Sequence, residues 1–137
     1  MLEEEDKRSR GIQRYRLTSQ RTYSMGLIAF ARLARTEHVV RILDFSVVGV
    51  GIELAEQIEP GLVYFREPVG GQKFGVLVWS KQSEDRYRAG IKFVILSSEE
   101  EAHILDQVKQ PLRGKAPLAP DTFITSLLES IQNETDR

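Results

Sequence analysis

The chain has no cysteine. That excludes disulfides, thiolate nucleophiles and zinc centres built on thiolates. Histidine is scarce too, with only His38 and His103. His38 falls at a predicted hairpin turn and His103 in a predicted amphipathic helix, so both read as surface residues rather than as a base or a metal ligand. No HExxH, P-loop, GxSxG or EF-hand pattern occurs. Gly49-Val50-Gly51 lacks the third glycine and the following helix of a dinucleotide-binding turn. No apolar run approaches the roughly 18–20 residues that a membrane span needs. The N-terminus is acidic and then basic without an apolar centre, unlike a secretory signal. A cytoplasmic location is the default expectation. The net charge of −1 removes any argument from overall basicity to nucleic acid. Neither catalysis, nor a cofactor, nor a metal site is expected.

What is present is an ordinary globular composition. Hydrophobic residues make up 41% and charged residues 28% of 137, enough for one domain with a real core. The charges are unevenly placed. Residues 2–6 read Leu-Glu-Glu-Glu-Asp; Lys7, Arg8, Arg10, Arg14, Arg16 and Arg21 then follow with no acid among them. This is an anion-attracting arm on a nearly neutral protein, with a plain solvated terminus as the other reading.

Six short strands with turn signals between them are predicted. They are Gly26–Arg35, where Leu27, Phe30 and Ala31 also have helical spacing, Val39–Asp44, Val50–Ala55, Leu62–Arg66, Lys73–Ser80 and Tyr87–Leu96. Thr36-Glu37-His38, Glu59-Pro60-Gly61, Pro68-Val69-Gly70-Gly71 and Gln82–Arg86 supply turns. Such a series argues for an all-β sandwich or closed barrel, and barrels remove exposed edges. Gly75 reads as a bulge or bend. Ser98 to Glu101 fits a capping box that opens a helix with Ala102, Ile104, Leu105 and Val108 on its apolar stripe, suited to cover one face or opening of the barrel. A proline-rich connector leads to Asp121, the expected cap of a last helix with Phe123, Ile124, Leu127, Leu128 and Ile131 on one side. That helix packs on the same domain or serves as a docking surface. The organisation expected is an arm over 1–24, a barrel with its following helix over 25–110, and a connector and helix over 111–137.

The most informative stretch is Arg41–Glu53. It reads as strand, polar turn, strand, with Asp44 and Ser46 two residues apart and Gly49 permitting close approach. Asp44-Phe45-Ser46-Val47-Val48-Gly49 matches Asp/Asn-x-Ser-x-x-Gly, and Arg10-Gly11-Ile12-Gln13-Arg14 matches Arg-x-x-x-Arg. These are the two signatures of PilZ domains, and Val78-Trp79 and Gly90-Ile91-Lys92-Phe93 fall where that family carries similar residues. The chain resembles a PilZ domain over about residues 8–96.

The resemblance implies an all-β core: a six-stranded antiparallel barrel with a flexible N-terminal arm and C-terminal helices. It also implies binding of the bacterial second messenger cyclic di-GMP. Arg10 and Arg14 would contact phosphates and guanine edges, Asp44 and Ser46 would hold a base, and Gly49 would leave room for it. Arg16 and Arg21 are nearby and could take some of those contacts. Guanidinium forks suit phosphate oxygens and the O6/N7 edge of guanine; a carboxylate suits the opposite edge. The function implied is a receptor and adaptor that signals to an unidentified partner protein in motility, biofilm, polysaccharide or virulence control. A PilZ-like protein–protein adaptor without nucleotide is the rival. Monomer and dimer are both open. A nucleic-acid-binding barrel is disfavoured because Phe65, Phe74, Trp79, Tyr87 and Phe93 are scattered and read as core.

Overall fold

Between residues 22 and 93 apolar side chains alternate over short β-rich runs, and each run becomes a strand. In the computed structural model, residues 2–4, 15–17, 21–31, 34–108, 116–117 and 122–135 are described. The elements in chain order are β1 (Leu2–Glu4), β2 (Tyr15–Leu17), β3 (Thr22–Ala29), β4 (Ala34–Phe45), β5 (Gly49–Leu54), β6 (Gly61–Val69), β7 (Gln72–Ser83), β8 (Arg86–Phe93), α1 (Ser98–Val108), β9 (Ala116–Pro117) and α2 (Thr122–Thr135). Six antiparallel strands close on themselves in the order β4-β3-β6-β7-β8-β5, with β5 returning to β4. The expected six-stranded antiparallel barrel is therefore the fold. β4 carries more neighbours than one ring requires: β2 extends beyond β3 along one edge, and β9 pairs with its first residues.

A barrel wall this small has an inside that must be filled and an outside that must be covered or made polar. Met25, Leu27, Val40, Ile42, Val50, Ile52, Leu54, Val63, Leu77 and Ile91 fill the inside. A second apolar cluster lies on the outside of β3, β6 and β7, where Ile28, Leu62, Tyr64, Phe74 and Val76 meet Ile104 and Val108 of α1 and Ile124, Leu127, Leu128 and Ile131 of α2. Full burial of such a side chain is worth about 1.5–3 kcal/mol, so this face is committed to the helices. Both faces of β3 and β6 are consequently apolar, while among the described residues no helix packs on the outer face of β5 and β8.

Polar groups fix α1 at both ends. At its start Ser97 and Glu100 exchange hydrogen bonds, the Ser97 amide donating to Glu100 Oε1 at 2.8 Å and the Glu100 amide to Ser97 Oγ at 3.1 Å. At its end Arg35 donates to the Gln107 carbonyl at 3.2 Å and Arg66 to the Val108 carbonyl at 2.7 Å. Cations placed there satisfy carbonyls that have no partner within the helix. Glu37 holds Arg66 in place at 2.7 Å and accepts from the Tyr64 hydroxyl at 2.6 Å. Burial first, and then that bond to Glu37, push the Tyr64 phenol well above its ordinary value; the same carboxylate raises Arg66.

Several expectations are corrected. The first barrel strand starts at Thr22 and ends at Ala29, and the turn falls at Phe30 and Ala31 rather than at Thr36-Glu37-His38, which lie within β4. Arg35 belongs to β4 and is buried. His38 is not a turn residue: its ring lies within β4, donating from Nδ1 to Glu56 at 2.6 Å and lying 2.7 Å from Thr36 Oγ1. The capping residue is Ser97, one position before the one expected. Gly75 carries no bulge; a Cβ there would lie 2.5 Å from Ile91 Cγ2, so close strand contact explains it. The apolar side of α2 packs on its own barrel. Asp121 lies outside the described residues.

Tyr64→Phe removes a hydrogen bond to a carboxylate and should destabilise the protein by about 1.5–3 kcal/mol at neutral pH. The raised phenol contributes stability that is complete below the unfolded value, about 10, and is lost as pH rises above it toward the higher folded value. Thermal melts of both proteins should therefore converge in alkali. A gap that stays constant with pH contradicts the assignment.

Candidate functional site

Strict alternation along β4 would send Arg41 outward, Ile42 inward and Asp44 inward. The strand does not alternate strictly. Ile42 pairs with Ile52, yet Asp44 pairs with the next residue, Gly51, so Leu43 is an extra residue and the ladder is bulged. The bulge turns Asp44 to the outer wall. The same device appears across the barrel wall in β7. Leu77 pairs with Ile91 and Trp79 with Gly90, leaving Val78 as the extra residue. Trp79 is thereby turned outward and is 47% exposed.

The two bulges face one another across two glycines. Gly51 pairs with Gly90, so one register row runs Arg16, Asp44, Gly51, Gly90, Trp79 through β2, β4, β5, β8 and β7. Register partners share a sheet face. A Cβ at Gly51 would lie 2.8 Å from Asp44 Oδ2, and a Cβ at Gly90 would lie 2.1 Å from the Trp79 Nε1 atom. The glycines thus make the space in which a carboxylate and an indole rest against bare backbone. An aromatic plane and an acceptor side by side suit a flat ring that carries N–H donors.

The turn after β4 is held by its own side chain. The Ser46 amide donates to the Gly49 carbonyl at 2.8 Å, the Val48 amide donates to Ser46 Oγ at 3.2 Å, and Ser46 is 3% exposed. This is a serine-stabilised turn. The Phe93 amide ties the turn to β8 through the Val48 carbonyl at 2.8 Å. A Cβ at Gly49 would lie 2.2 Å from the Ile91 carbonyl oxygen. Close strand packing therefore accounts for glycine at that position. Val47 and Val48 stand exposed on the turn.

The expected site residues are thus brought together in part. Asp44 near the end of β4, Ser46 in the turn and Gly49 at the start of β5 lie around one β4–β5 connection. Arg16 is the register partner of Asp44, and the Tyr15 ring packs on Phe45 with centroids 6.2 Å apart. Arg21 is engaged by Glu67 of β6 and sits 4.9 Å over the Tyr23 ring. Arg10 and Arg14 lie outside the described residues. Trp79 is the residue that sequence reasoning placed wrongly: it is an outer-wall residue, not core. The extra residue Val78 is what turns it outward. Phe65 and Phe74 are buried, while Tyr87 and Phe93 are partly buried against the inner core, as expected.

A second charged group adjoins this row. Glu53, whose side chain is 13% exposed, is paired with Arg41 at 2.8 Å, Arg86 at 3.2 Å and Arg88 at 3.9 Å. Lys81 stands 5.7 Å from the Trp79 ring centroid. Among the described residues no cluster of three or more acidic or histidine side chains is placed to hold a metal ion, and no helix is long and apolar enough to cross a membrane.

Compared with known families, the chain matches the PilZ domain over residues 13–110. No curated protein matches it.

Gly90→Ala tests the packing of the indole. Trp79 is the sole tryptophan, so its emission reports this position alone. The added methyl should lift the ring into water and shift emission to the red, with the β circular-dichroism signal retained. Unchanged emission contradicts the geometry.

Proposed function

The chain belongs to the PilZ domain family, and from that premise we propose that it is a receptor for cyclic di-GMP which closes its N-terminal arm over the ligand and signals to a partner protein. The observation that carries this reading is the pair of opposed bulges that turn Asp44 and Trp79 outward beside Gly51 and Gly90. The exposed indole and the carboxylate on one register row offer a stacking face and an acceptor to a single flat ligand.

On this reading guanine stacks against Trp79, a contact that suits any base π-face. The Asp44 carboxylate accepts from guanine N1 and N2. Ser46 and Gly49 act mainly by shaping the turn that presents Asp44. The arm supplies the phosphate contacts. Pairing of Tyr15 with Phe45 and of Arg16 with Asp44 supports this, because the chain upstream of Tyr15, which carries Arg14 and Arg10, starts at the site. Six cations between Lys7 and Arg21 repel one another until an anion neutralises them, so ligand binding would order the arm, an order–disorder switch read by the partner. Motility, biofilm, polysaccharide or virulence control are the outputs proposed.

The nucleotide-free adaptor reading draws on one observation. Ser46 and Gly49 are both explained by the fold without a ligand. The outward placing of Trp79 on the same register row as Asp44 favours the receptor.

Calorimetry with cyclic di-GMP separates the two. The wild type should bind, and Arg14→Ala and Asp44→Ala should each weaken binding by about 10- to 150-fold, the range for a lost charge-assisted contact. No heat with the wild type, or binding that both substitutions leave intact, overturns the proposal.

A further inference from the structure

Next to the Asp44–Trp79 row, two residues along the strands, lies an arrangement that folding alone does not favour. Lys81 of β7 and Arg88 of β8 are direct register partners on the outer wall. Like charges directly opposite each other across an antiparallel ladder repel. Glu53 is the register partner of Arg88 on its other side, but that carboxylate sits closer to Arg41 and Arg86, and Arg88 lies 3.9 Å from it and is 48% exposed. Three cations, Arg41, Arg86 and Arg88, thus share one carboxylate beside Lys81 on this part of the wall. Lys81 has the indole face of Trp79 as its neighbour.

We propose that Lys81 and Arg88 form an anion subsite on the barrel wall itself, which takes a phosphodiester group of the ligand bound over Asp44 and Trp79. The proposal rests on the receptor reading above and adds to it a second phosphate contact, independent of the arm. Three observations carry it. Lys81 and Arg88 oppose each other, and the carboxylate that reaches Arg88, Glu53, is shared with Arg41 and Arg86. Strand rise is about 3.3 Å per residue, which sets them about 7 Å from the Gly51–Gly90 floor, within the reach of one nucleotide. Lys81 also leans on the very ring on which a base would stack. A base that takes the indole face releases the ammonium, and the phosphate beside that base receives it. Glu53 lies 2.8 Å from Arg41 and 3.2 Å from Arg86 but 3.9 Å from Arg88, so Arg88 is the least tightly held of the three. The arm and the wall would then grip the ligand from opposite sides.

The test is calorimetry of the full chain with cyclic di-GMP, comparing the wild type with the double variant Lys81→Gln/Arg88→Gln and with Arg86→Gln. The double variant should bind about 10- to 100-fold more weakly at low salt, with the difference shrinking as salt screens the exposed cations. Arg86, paired one step further from the row with Ser83, should matter less. The unliganded double variant should melt no lower than the wild type, because a repulsion has been removed. Wild-type affinity in the double variant, or a lowered melting temperature without ligand, overturns the proposal. A thermal-shift series with inorganic pyrophosphate separates it from the receptor reading. If the wild type fails to bind the nucleotide yet pyrophosphate stabilises it and not the double variant, the receptor reading falls and the subsite stands. If pyrophosphate stabilises neither, both fall.

Discussion

Two β-bulges, set opposite each other across a pair of glycines, decide what this barrel can present to solvent. An unbulged β4 would bury a carboxylate in an apolar interior, at a cost no neighbouring cation offsets there. An unbulged β7 would draw the indole inside with it. One extra residue in each strand, Leu43 and Val78, moves both groups to the outside. The register row joining them then runs through Gly51 and Gly90, whose missing side chains let the two groups lie against the backbone. Remove either bulge and the row no longer exists. The rest of the barrel positions this wall.

The wall is divided by what covers it. The outer faces of β3 and β6 and the Phe74–Val76 end of β7 carry an apolar cluster packed against α1 and α2, with Arg35, Arg66, Glu37 and Tyr64 locking the end of α1 to the strands. The outer faces of β5 and β8 carry glycines, Glu53, Arg88 and Lys92 in place of an apolar stripe. A helix has nothing to bury there. That contrast explains why a small domain spends two helices on one side and leaves the other bare. The N-terminal chain reaches the bare side by continuing the edge of β4 through β2, beside Asp44.

The strands of the second half were legible because glycine and proline punctuate them: Glu59-Pro60-Gly61 and the Gly70-Gly71 pair fall where the turns are, and both those glycines adopt positive φ. The first hairpin was misread because β3 is buried on both faces, so Met25, Leu27 and Ile28 give no clean alternation. Thr36-Glu37-His38 looked like a turn because it is polar, yet each side chain has a partner within the fold. The capping box was off by one residue because Ser97 and Ser98 both stand three positions before a glutamate. Asp44 was legible as a motif residue, although its outward aim comes from a bulge that no local signal announces. Trp79 was read as core because the aromatics are scattered over several strands, and nothing in β7 alone announces the bulge that turns it outward. The Lys81–Arg88 opposition was invisible because it arises from pairing between strands, not from either strand alone.

The central claim is that the ligand lies on the outer wall between the two bulges. Backbone amide chemical-shift mapping with cyclic di-GMP tests it most directly. The largest changes are expected at Asp44, Gly51, Gly90 and the Trp79 indole N–H, with little change at Ile28, Val76 or the helices. Changes centred on the helix-covered face, or none on the Gly51–Gly90 row at saturating nucleotide, would contradict it.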